Sequence, residues 1–379
     1  VAMKRNSGLS NSFVTLFLCG DAMTGRGIDQ VLPHPEPPVI HESYMKDARG
    51  YVELGERKNG PIPRSAGFSY VWGDALAELT RVGPDLRLIN LETAVTGSED
   101  YVHKGINYRM NPKNIPMLAA AGVDFCALAN NHVLDWGVAG LKETLETLDR
   151  VGIQHAGAGE NIREAAAPAI LEIGGGKGRV AVFALGLKSS GIPTEWAAGT
   201  ERPGVDLLLD LSEGTVRRIA ERVRSSTRPR DIVVVSLHWG GNWGYAVPDE
   251  QRTFAHRLIE GAGVDVVYGH SSHHPKGIEV YRQRLILYGC GDFLNDYEGI
   301  SGYEEFRGDL VLMYFVQLEP MTGKLAGLEM TPLQVRNFRL NRASRADDKW
   351  LRDVLNREGK RFGTRVEMGE GNRMVLHWD

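Results

Sequence analysis

Apolar runs that end abruptly on polar side chains recur five times along the chain, and this pattern constrains the fold more than any other feature. Each run is long enough for a buried strand, and the residues that follow it are carboxylates, amides or imidazoles. The runs are VTLFLCGD with Asp21, RLINLET with Glu92, FCALANNH with Asn131 and His132, VVVSLHWGG with His238, and VVYGHSSHHPKG with His270 and His273. In α/β proteins the loops at the carboxyl ends of the strands converge on one crevice. We therefore expect these side chains to meet in space as a metal site.

The fold class predicted from the sequence is α/β, with two mixed β-sheets flanked by helices. Strand-like runs alternate with helical patterns, which is typical of layered α/β architecture. After residue 263 the runs follow one another without a helix, and this favours antiparallel pairing there. Strands are predicted at 14–19, 86–90, 124–129, 168–173, 179–185, 231–237, 264–268, 278–281, 285–289, 310–317 and 325–335, and helices at 72–82, 114–121, 138–151, 213–225, 249–262 and 346–359.

The chain is predicted to form one catalytic domain over residues 13–340, with an insertion at about 31–70. Prolines cluster in that insertion and should break any long element within it. Residues 341–379 are predicted to add a C-terminal helix and hairpin packed on the core.

Composition excludes several classes of partner. The net charge is −4, from 44 basic and 48 acidic residues without a long single-sign run, which argues against nucleic acid and membrane surfaces as partners. The N-terminal VAMKRNSGLSNS and the short apolar segment after it do not make a signal peptide, and no apolar stretch is long enough to span a membrane. The three cysteines follow apolar runs and indicate buried free thiols. We expect a cytoplasmic protein.

The mixture of carboxylate, amide oxygen and imidazole suits one or two divalent metal ions such as manganese, zinc, iron or calcium. The absence of cysteine among the candidate ligands argues against a closed structural zinc site. Taken singly, each residue also has a structural interpretation. Asp21 could cap a helix, Glu92 could pair with an arginine, and His238 could be a hydrogen-bonded core histidine.

The order of these motifs resembles a known family. Gly-Asp, Asn-Leu-Glu-Thr, Ala-Asn-Asn-His with an aspartate three residues on, His-Trp-Gly and Gly-His-x-x-His are similar to the CapA (poly-γ-glutamate capsule synthesis) family of the calcineurin-like metallophosphatase superfamily. The resemblance runs from about Leu16 to Leu340. It implies a four-layer, metallophosphatase-like sandwich of two mixed sheets flanked by helices, with a one- or two-metal site at the strand ends.

The resemblance also implies a role for each site residue. Glu92 would be the bridging carboxylate, Asn131, His238 and His270 would complete one metal, and Asp21 and His273 would belong to the other. His132 would be the unliganded catalytic imidazole, oriented by Asp135. One position departs from the superfamily motif Asp-x-His: Met23 stands where the histidine is expected, and a thioether is a poor ligand for hard divalent ions.

Two activities follow from the resemblance. The chain looks similar to the lasso-peptide epimerase branch, which implies inversion of the Cα of a C-terminal residue, such as tryptophan, in a ribosomally made precursor peptide. That interpretation is favoured, and it implies a peptide substrate together with a leader-peptide-binding companion protein. The alternative is a metal-dependent hydrolase of a phosphoester, an amide or a γ-glutamyl bond. A third interpretation is an inactive scaffold, which the complete ligand set opposes.

Several neighbouring residues fit a peptide carboxyl terminus. Candidates for a carboxylate clamp are Arg26, Lys104, Asn107 and Arg109. Trp239 and Trp243 could form an aromatic wall, and Cys290 could act as a second base. The structural alternatives are salt bridges for the basic residues and core packing for the tryptophans and the thiol.

Overall fold

Two large β-sheets lie face to face at the centre of the computed structural model, which describes residues 13–379. The expectation about the N-terminal residues 1–12 lies outside the described residues. Every strand and helix predicted above overlaps an observed element. The predictions omit the two-residue strands and the short strands at 154–156, 292–294 and 339–342, where few residues are available to show an alternating pattern.

The strands, in chain order, are β1 (Val14–Ala22), β2 (Leu86–Leu91), β3 (Ala94–Val95), β4 (Arg109–Met110), β5 (Phe125–Ala127), β6 (Gln154–Ala156), β7 (Ala158–Gly159), β8 (Ala169–Ile173), β9 (Gly178–Leu187), β10 (Gly204–Val205), β11 (Leu207–Leu208), β12 (Ile232–His238), β13 (Val266–His270), β14 (Ile278–Tyr281), β15 (Arg284–Leu287), β16 (Asp292–Leu294), β17 (Leu310–Leu318), β18 (Leu325–Arg336), β19 (Arg339–Arg342), β20 (Thr364–Met368) and β21 (Met374–Trp378).

The helices are α1 (Gly27–Val31), α2 (Arg49–Asn59), α3 (Ala75–Val82), α4 (Pro116–Ala120), α5 (Gly137–Val151), α6 (Ile162–Ala165), α7 (Glu213–Ser226), α8 (Asp249–Ala262) and α9 (Arg345–Gly359). Helices α5 and α8 end where Gly152 and Gly263 adopt left-handed backbone angles that glycine tolerates best. Among residues 13–379, none of the helices has both the length and the apolar character needed to cross a lipid bilayer.

Both sheets are mixed, as predicted. In the first sheet the strand order is β20-β21-β18-β17-β1-β2-β5-β6, with β1, β2, β5 and β6 parallel and β17, β18, β20 and β21 antiparallel to their neighbours. In the second sheet the order is β11-β9-β12-β13-β15-β14, where β14 is antiparallel to β15. The parallel strands of both sheets end at one edge, which positions the polar strand ends.

The side chains of the central strands show four layers. Leu16 and Leu18 of β1 pack between the two sheets, while Phe17 faces the helices outside the first sheet. On β12, Val234 faces the space between the sheets and Val233 faces helices α7 and α8. Because alternate residues of a strand point to opposite faces, each sheet is covered on both sides. The α/β sandwich of two mixed sheets between helices is confirmed.

The insertion at 31–70 differs from its prediction. The prolines were expected to break any long element, yet α2 runs for eleven residues from Arg49 to Asn59. The prolines lie on either side of this helix, and Tyr51 and Val52 are buried against the domain. Tertiary packing of one apolar face therefore stabilises a helix that the local sequence does not predict.

The C-terminal segment joins the first sheet directly. Ser344 and Asp347 form a reciprocal capping box at the start of α9. The hairpin of β20 and β21 then extends the sheet, because β21 pairs with Glu329 and Met330 of β18. Cys19, Cys126 and Cys290 are buried free thiols within this described part of the chain.

Candidate metal centre

The polar strand ends of the two sheets meet at one crevice. Asp21 lies near the end of β1, paired in register with Asn90 and with Asp292. In the second sheet His238 and His270 are register partners at the ends of β12 and β13. Gly20 permits this approach, because a Cβ at that position would lie 2.0 Å from the carbonyl oxygen of Gly291. The predicted convergence of strand ends is thus present in the fold.

Three of the predicted ligands form a compact buried group. One ligand atom each from Asp21, Glu92 and His238 lies within 4.8 Å of the others. All three side chains are buried, and Nδ2 of Asn90 donates hydrogen bonds to Oδ1 of Asp21, at 2.9 Å, and to Oε2 of Glu92, at 3.3 Å. Asn90 therefore orients both carboxylates without being a predicted ligand itself.

Two further predicted ligands border this group. Nδ1 of His270 lies 2.9 Å from Oδ1 of Asp21, and the buried Nε2 of the same ring has no hydrogen-bond partner within residues 13–379. Nε2 of His238 lies 3.0 Å from Oδ1 of Asn131. Buried polar atoms normally have partners, so an imidazole nitrogen without one beside the ligand group fits a metal ligand. The donor set of carboxylate, amide and imidazole fits a divalent metal ion.

The electrostatics of the group favour the same conclusion. Burial opposes ionisation of Asp21, but the nearby His270 and His238 hold the pKa of its carboxyl well below the usual value. Burial and the charge of Asp21 raise the pKa of Glu92 well above its usual range. Burial lowers the pKa of His238 to about 3, so its ring is neutral, which is the form that binds a metal. The two buried acidic groups lie so close that the charge of one opposes ionisation of the other, and a bound cation would remove this conflict.

His132 pairs with a carboxylate that does not belong to the ligand group. Its Nδ1 lies 2.6 Å from Oδ2 of Asp135, and its Nε2 lies 3.8 Å from Oε1 of Glu92. Burial lowers the pKa of His132 to about 4, so the ring is neutral near pH 7. The structure therefore brings together His132 and Asp135, to which the resemblance gave the roles of catalytic imidazole and orienting carboxylate.

His273 lies beside the centre and is held by a carboxylate of its own. Its Nδ1 is 2.8 Å from Oδ1 of Asp292, which also accepts a hydrogen bond from Asn295 through Oδ2 at 2.9 Å. Although burial opposes the charged form, Asp292 raises the pKa of His273 above its usual value. Sequence reasoning assigned Asp292 no role of its own, although it follows the Gly-Cys-Gly run that ends another strand-like segment.

Met23, the position at which the resemblance leads us to expect a histidine, is buried and contacts a tyrosine. The hydroxyl of Tyr297 donates to Sδ of Met23 at 3.3 Å and accepts from the hydroxyl of Tyr108 at 3.1 Å. Sequence reasoning missed both tyrosines, because nothing local distinguishes them from ordinary core aromatics.

Comparison with known proteins identifies the family of this chain. Residues 15–297 match the family described as bacterial capsule synthesis protein PGA_cap. The chain belongs to this family. A Mycobacterium tuberculosis relative, named a probable polyglutamine synthesis accessory protein, is 49% identical over 355 residues, which cover 93% of each chain. The resemblance to the CapA family is therefore confirmed.

Two relatives from Bacillus belong to the same group of matches. The PGA biosynthesis protein CapA of Bacillus subtilis is 30% identical over 330 residues, covering 86% of this chain and 72% of the relative. The capsule biosynthesis protein CapA of Bacillus anthracis is 24% identical over 326 residues, covering 81% and 75%. A solved structure of a phosphatase from Mycoplasma pneumoniae overlaps with 87% of this chain and 95% of its own, at 12% identity and a TM-score of 0.47, a likeness too distant to define a function.

The predicted carboxylate clamp needs correction in this PGA_cap family member, because its donors are already engaged. Nε of Arg26 donates to Oδ2 of Asp296 at 3.1 Å, and its Nη1 donates to Oε1 of Glu42 at 2.9 Å. The two Nη atoms of Arg109 donate to the backbone oxygens of Ser98 and Pro37. Both arginines stabilise loops in the structure, and neither guanidinium group is free to bind a substrate carboxylate.

The remaining clamp candidates serve the His132 side of the centre. Nζ of Lys104 lies 2.7 Å from Oδ1 of Asp135 and also donates to the backbone oxygen of Asn131. Nδ2 of Asn107 donates to the backbone oxygens of Val102 and Asp135, at 2.9 and 3.1 Å. Lys104 and Asn107 therefore hold Asp135 in place, a role that local sequence did not reveal.

The predicted roles of Trp239 as part of an aromatic wall and of Cys290 as a second base also need correction. Trp239 is buried outside the second sheet, where its ring packs beside Phe254 and Tyr288, so it does not line the crevice. Cys290 is completely buried in the apolar layer between the sheets, and burial raises the pKa of its thiol. Packing, the structural alternative, is the better interpretation for both. Trp243 stays partly exposed, and its ring lies 5.2 Å from that of His273.

Proposed function

We propose that this protein is a metal-dependent hydrolase that cleaves an amide bond in a glutamyl polymer. The observation that carries the proposal is the position of Glu92. It belongs to the compact group with Asp21 and His238, and its Oε1 is also 3.8 Å from Nε2 of His132. A group of candidate metal ligands and a neutral imidazole held by a carboxylate therefore share one buried crevice, an arrangement that would suit acid/base hydrolysis.

The residues that would hold a divalent ion are Asp21, Glu92, His238, Asn131 and His270. Such an ion would polarise the substrate oxygen and make water more acidic. Met23 offers a thioether where a second ion would need an imidazole ligand, which supports one firmly held ion over two. The ion would also neutralise the adjacent carboxylates of Asp21 and Glu92, whose burial makes their charge costly.

His132 would move the proton. Asp135 fixes Nδ1 as the protonated nitrogen, which leaves Nε2 with a lone pair toward the ligand group. Nε2 can accept a proton from the attacking water and return it to the leaving amine. Because the ring is neutral near pH 7, it begins the reaction as a base. Lys104 balances the charge of Asp135 through the ion pair at 2.7 Å.

The choice of substrate rests on the relatives. One is named for polyglutamine synthesis and another for PGA biosynthesis, and the matched family is described by capsule synthesis. These names favour a glutamyl amide over a phosphoester as the bond that is cleaved. A polymer with a carboxylate on each unit also offers oxygen ligands to a hard divalent ion.

Hydrolysis can be tested directly with purified protein. The protein should be stripped of metal, reloaded separately with manganese, zinc, iron or calcium, and incubated with poly-γ-glutamate. We expect new amino ends and shorter polymer chains with protein loaded with at least one of these metals. The His132→Ala variant should produce neither. Release of phosphate from a phosphoester without cleavage of the polymer would move the assignment to a phosphoesterase.

The peptide epimerase favoured by the sequence is the second candidate. The observation in its favour is the pair formed by His273 and Asp292, a second imidazole held by a carboxylate beside the same centre. Inversion at Cα needs two acid/base groups, and His132 and His273 could fill these roles. This candidate includes the peptide substrate and the leader-peptide-binding companion protein. Incubation with a precursor peptide in deuterium oxide should add one deuterium without cleavage, whereas a cleaved peptide would support the hydrolase.

A further inference from the structure

The hydroxyl of Tyr297 is a polar group of the centre that neither metal binding nor the His132 pair uses. It accepts a hydrogen bond from the hydroxyl of Tyr108 at 3.1 Å and donates its own proton to Sδ of Met23 at 3.3 Å. A thioether is a weak acceptor. Within the described chain, the proton of Tyr297 is therefore directed at a partner that a stronger acceptor could replace.

The two tyrosines lie between the imidazoles of the centre. The ring of Tyr297 meets His273 edge-on, with centroids 5.4 Å apart and an interplanar angle of 88°. The ring of Tyr108 meets His132 in the same way, at 4.5 Å and 85°. The linked pair of hydroxyls therefore extends from the His132 side of the centre to the His273 side. Tyr108 is buried, whereas Tyr297 retains some exposure, as a group that contacts a ligand must.

Arg26 packs against the ring of Tyr108 and holds it in place. Its guanidinium carbon lies 4.4 Å from the centroid of the Tyr108 ring, and Asp296 and Glu42 fix the group in place. Linked hydrogen bonds strengthen one another in a buried setting, so the bond that Tyr297 accepts from Tyr108 makes the Tyr297 hydroxyl a better donor. A phenol keeps its proton at neutral pH, so the Tyr297 hydroxyl is available as a donor.

We propose that the Tyr297 hydroxyl donates a hydrogen bond to the substrate oxygen that gains negative charge in the reaction, leaving Met23 to do so. In the proposed function, on which this inference rests, that atom is the carbonyl oxygen of the scissile amide. No bond to Tyr297 forms or breaks, and the proton stays on the phenol. A donor fixed in advance toward a developing oxyanion lowers the barrier without reorganisation during the reaction.

This role would also explain why methionine suits position 23. A histidine there could bind a metal ion and occupy the space that the Tyr297 hydroxyl faces. A thioether keeps the hydroxyl oriented in the free protein and releases it at little cost, since the bond to sulfur is weak. The chain would thus combine fewer metal ligands with one more hydrogen-bond donor at the same place.

The test compares Tyr297→Phe with Met23→Leu in metal-loaded protein. Inorganic phosphate serves as an oxyanion probe, its binding measured by calorimetry, and cleavage of poly-γ-glutamate and metal content are measured separately. Tyr297→Phe should keep its metal, bind phosphate about ten- to a hundred-fold more weakly and lose a comparable factor in turnover. Met23→Leu, which removes only the weak acceptor, should stay within about three-fold of wild type in phosphate binding.

Tyr281→Phe is a matched control, because that hydroxyl makes one hydrogen bond, to Glu260 at 2.6 Å, on strand β14 away from the centre. It should match wild type in every measurement. Equal phosphate affinity in Tyr297→Phe and wild type would overturn the proposal, as would the absence of phosphate binding in both. Equal losses in Tyr297→Phe and Met23→Leu would overturn it too, since they would assign the effect to packing. Failure of the wild-type protein to cleave the polymer would reject the proposed function. The phosphate affinities would still show whether the Tyr297 hydroxyl donates to an oxyanion.

Discussion

Nδ1 of His132 lies 2.6 Å from Oδ2 of Asp135, so a buried carboxylate fixes the orientation of an imidazole beside the candidate metal ligands. The backbone amide of Tyr108 donates to the same carboxylate oxygen at 2.6 Å, and Lys104 approaches the other oxygen. Asp135 is therefore held from several sides. This arrangement separates the proton-transfer role from the metal-binding role, and the two can be tested separately.

His132→Ala should abolish most turnover while leaving the bound metal in place. Loss of a positioned acid/base group typically costs about 10²- to 10⁴-fold in rate. Metal analysis and kinetics on the same preparation check both halves of the prediction. Asp135→Asn should cause a smaller loss with unchanged metal content, because the ring loses its orienting partner but remains present. A metal-free His132→Ala protein would show that His132 is a ligand instead.

His238→Ala should lower the affinity for the metal by at least about 100-fold, because a buried donor of the ligand group is removed. Competition with a chelator measures this affinity. His256→Ala is a suitable control, since that histidine pairs with Glu279 at 3.0 Å on the outer side of the second sheet. Wild-type metal content and affinity in His238→Ala would contradict the assignment of the centre.

Met23→His should increase the number of metal ions bound per chain. The substitution supplies an imidazole where the buried thioether now lies, close to the hydroxyl of Tyr297. Elemental analysis after removal of excess metal gives the ratio. Met23→Leu should show no such increase. If the histidine variant and wild type bind equal amounts of metal, position 23 does not face a second ion.

Asp348→Asn should raise the melting temperature by roughly 1–3 °C at about pH 7.5. Asp348 is buried in the first turn of α9, and neither carboxylate oxygen has a hydrogen-bond partner among the described residues. Burial and the neighbouring Asp347 raise its pKa to about 6. The folded protein thus binds this proton more readily than the unfolded chain, so the penalty is full above about pH 6 and fades toward pH 4.

Thermal unfolding across this pH range checks that sign. The gain from Asp348→Asn should shrink steadily as the pH falls. Asp353→Asn, on an exposed face of the same helix, should give no gain, because its carboxylate pairs with Lys349 at 2.7 Å. A destabilised Asp348→Asn protein at about pH 7.5 would show that the carboxylate has a stabilising contact in solution.

Local patterns predicted most of the regular structure, and their failures have physical causes. Helix α8 has the predicted bounds, 249–262, because its apolar residues recur at helical spacing and a glycine follows its end. Helix α2 escaped prediction, because the buried side chains of Tyr51 and Val52 stabilise it through tertiary contacts. The short strand β16, which brings Asp292 beside Asp21, is too short to leave a pattern.

The sequence by itself determined that polar ligands follow apolar strands, because alternation and burial are properties of neighbouring residues. That was enough to bring Asp21, Glu92 and His238 to one crevice. Only the tertiary structure decided which donors remain free. Arg26 is satisfied by Asp296, 270 positions away, so it cannot clamp a substrate. A hydrogen-bond partner so distant along the chain leaves no trace in the local sequence, and the same holds for the contact of Tyr297 with Met23.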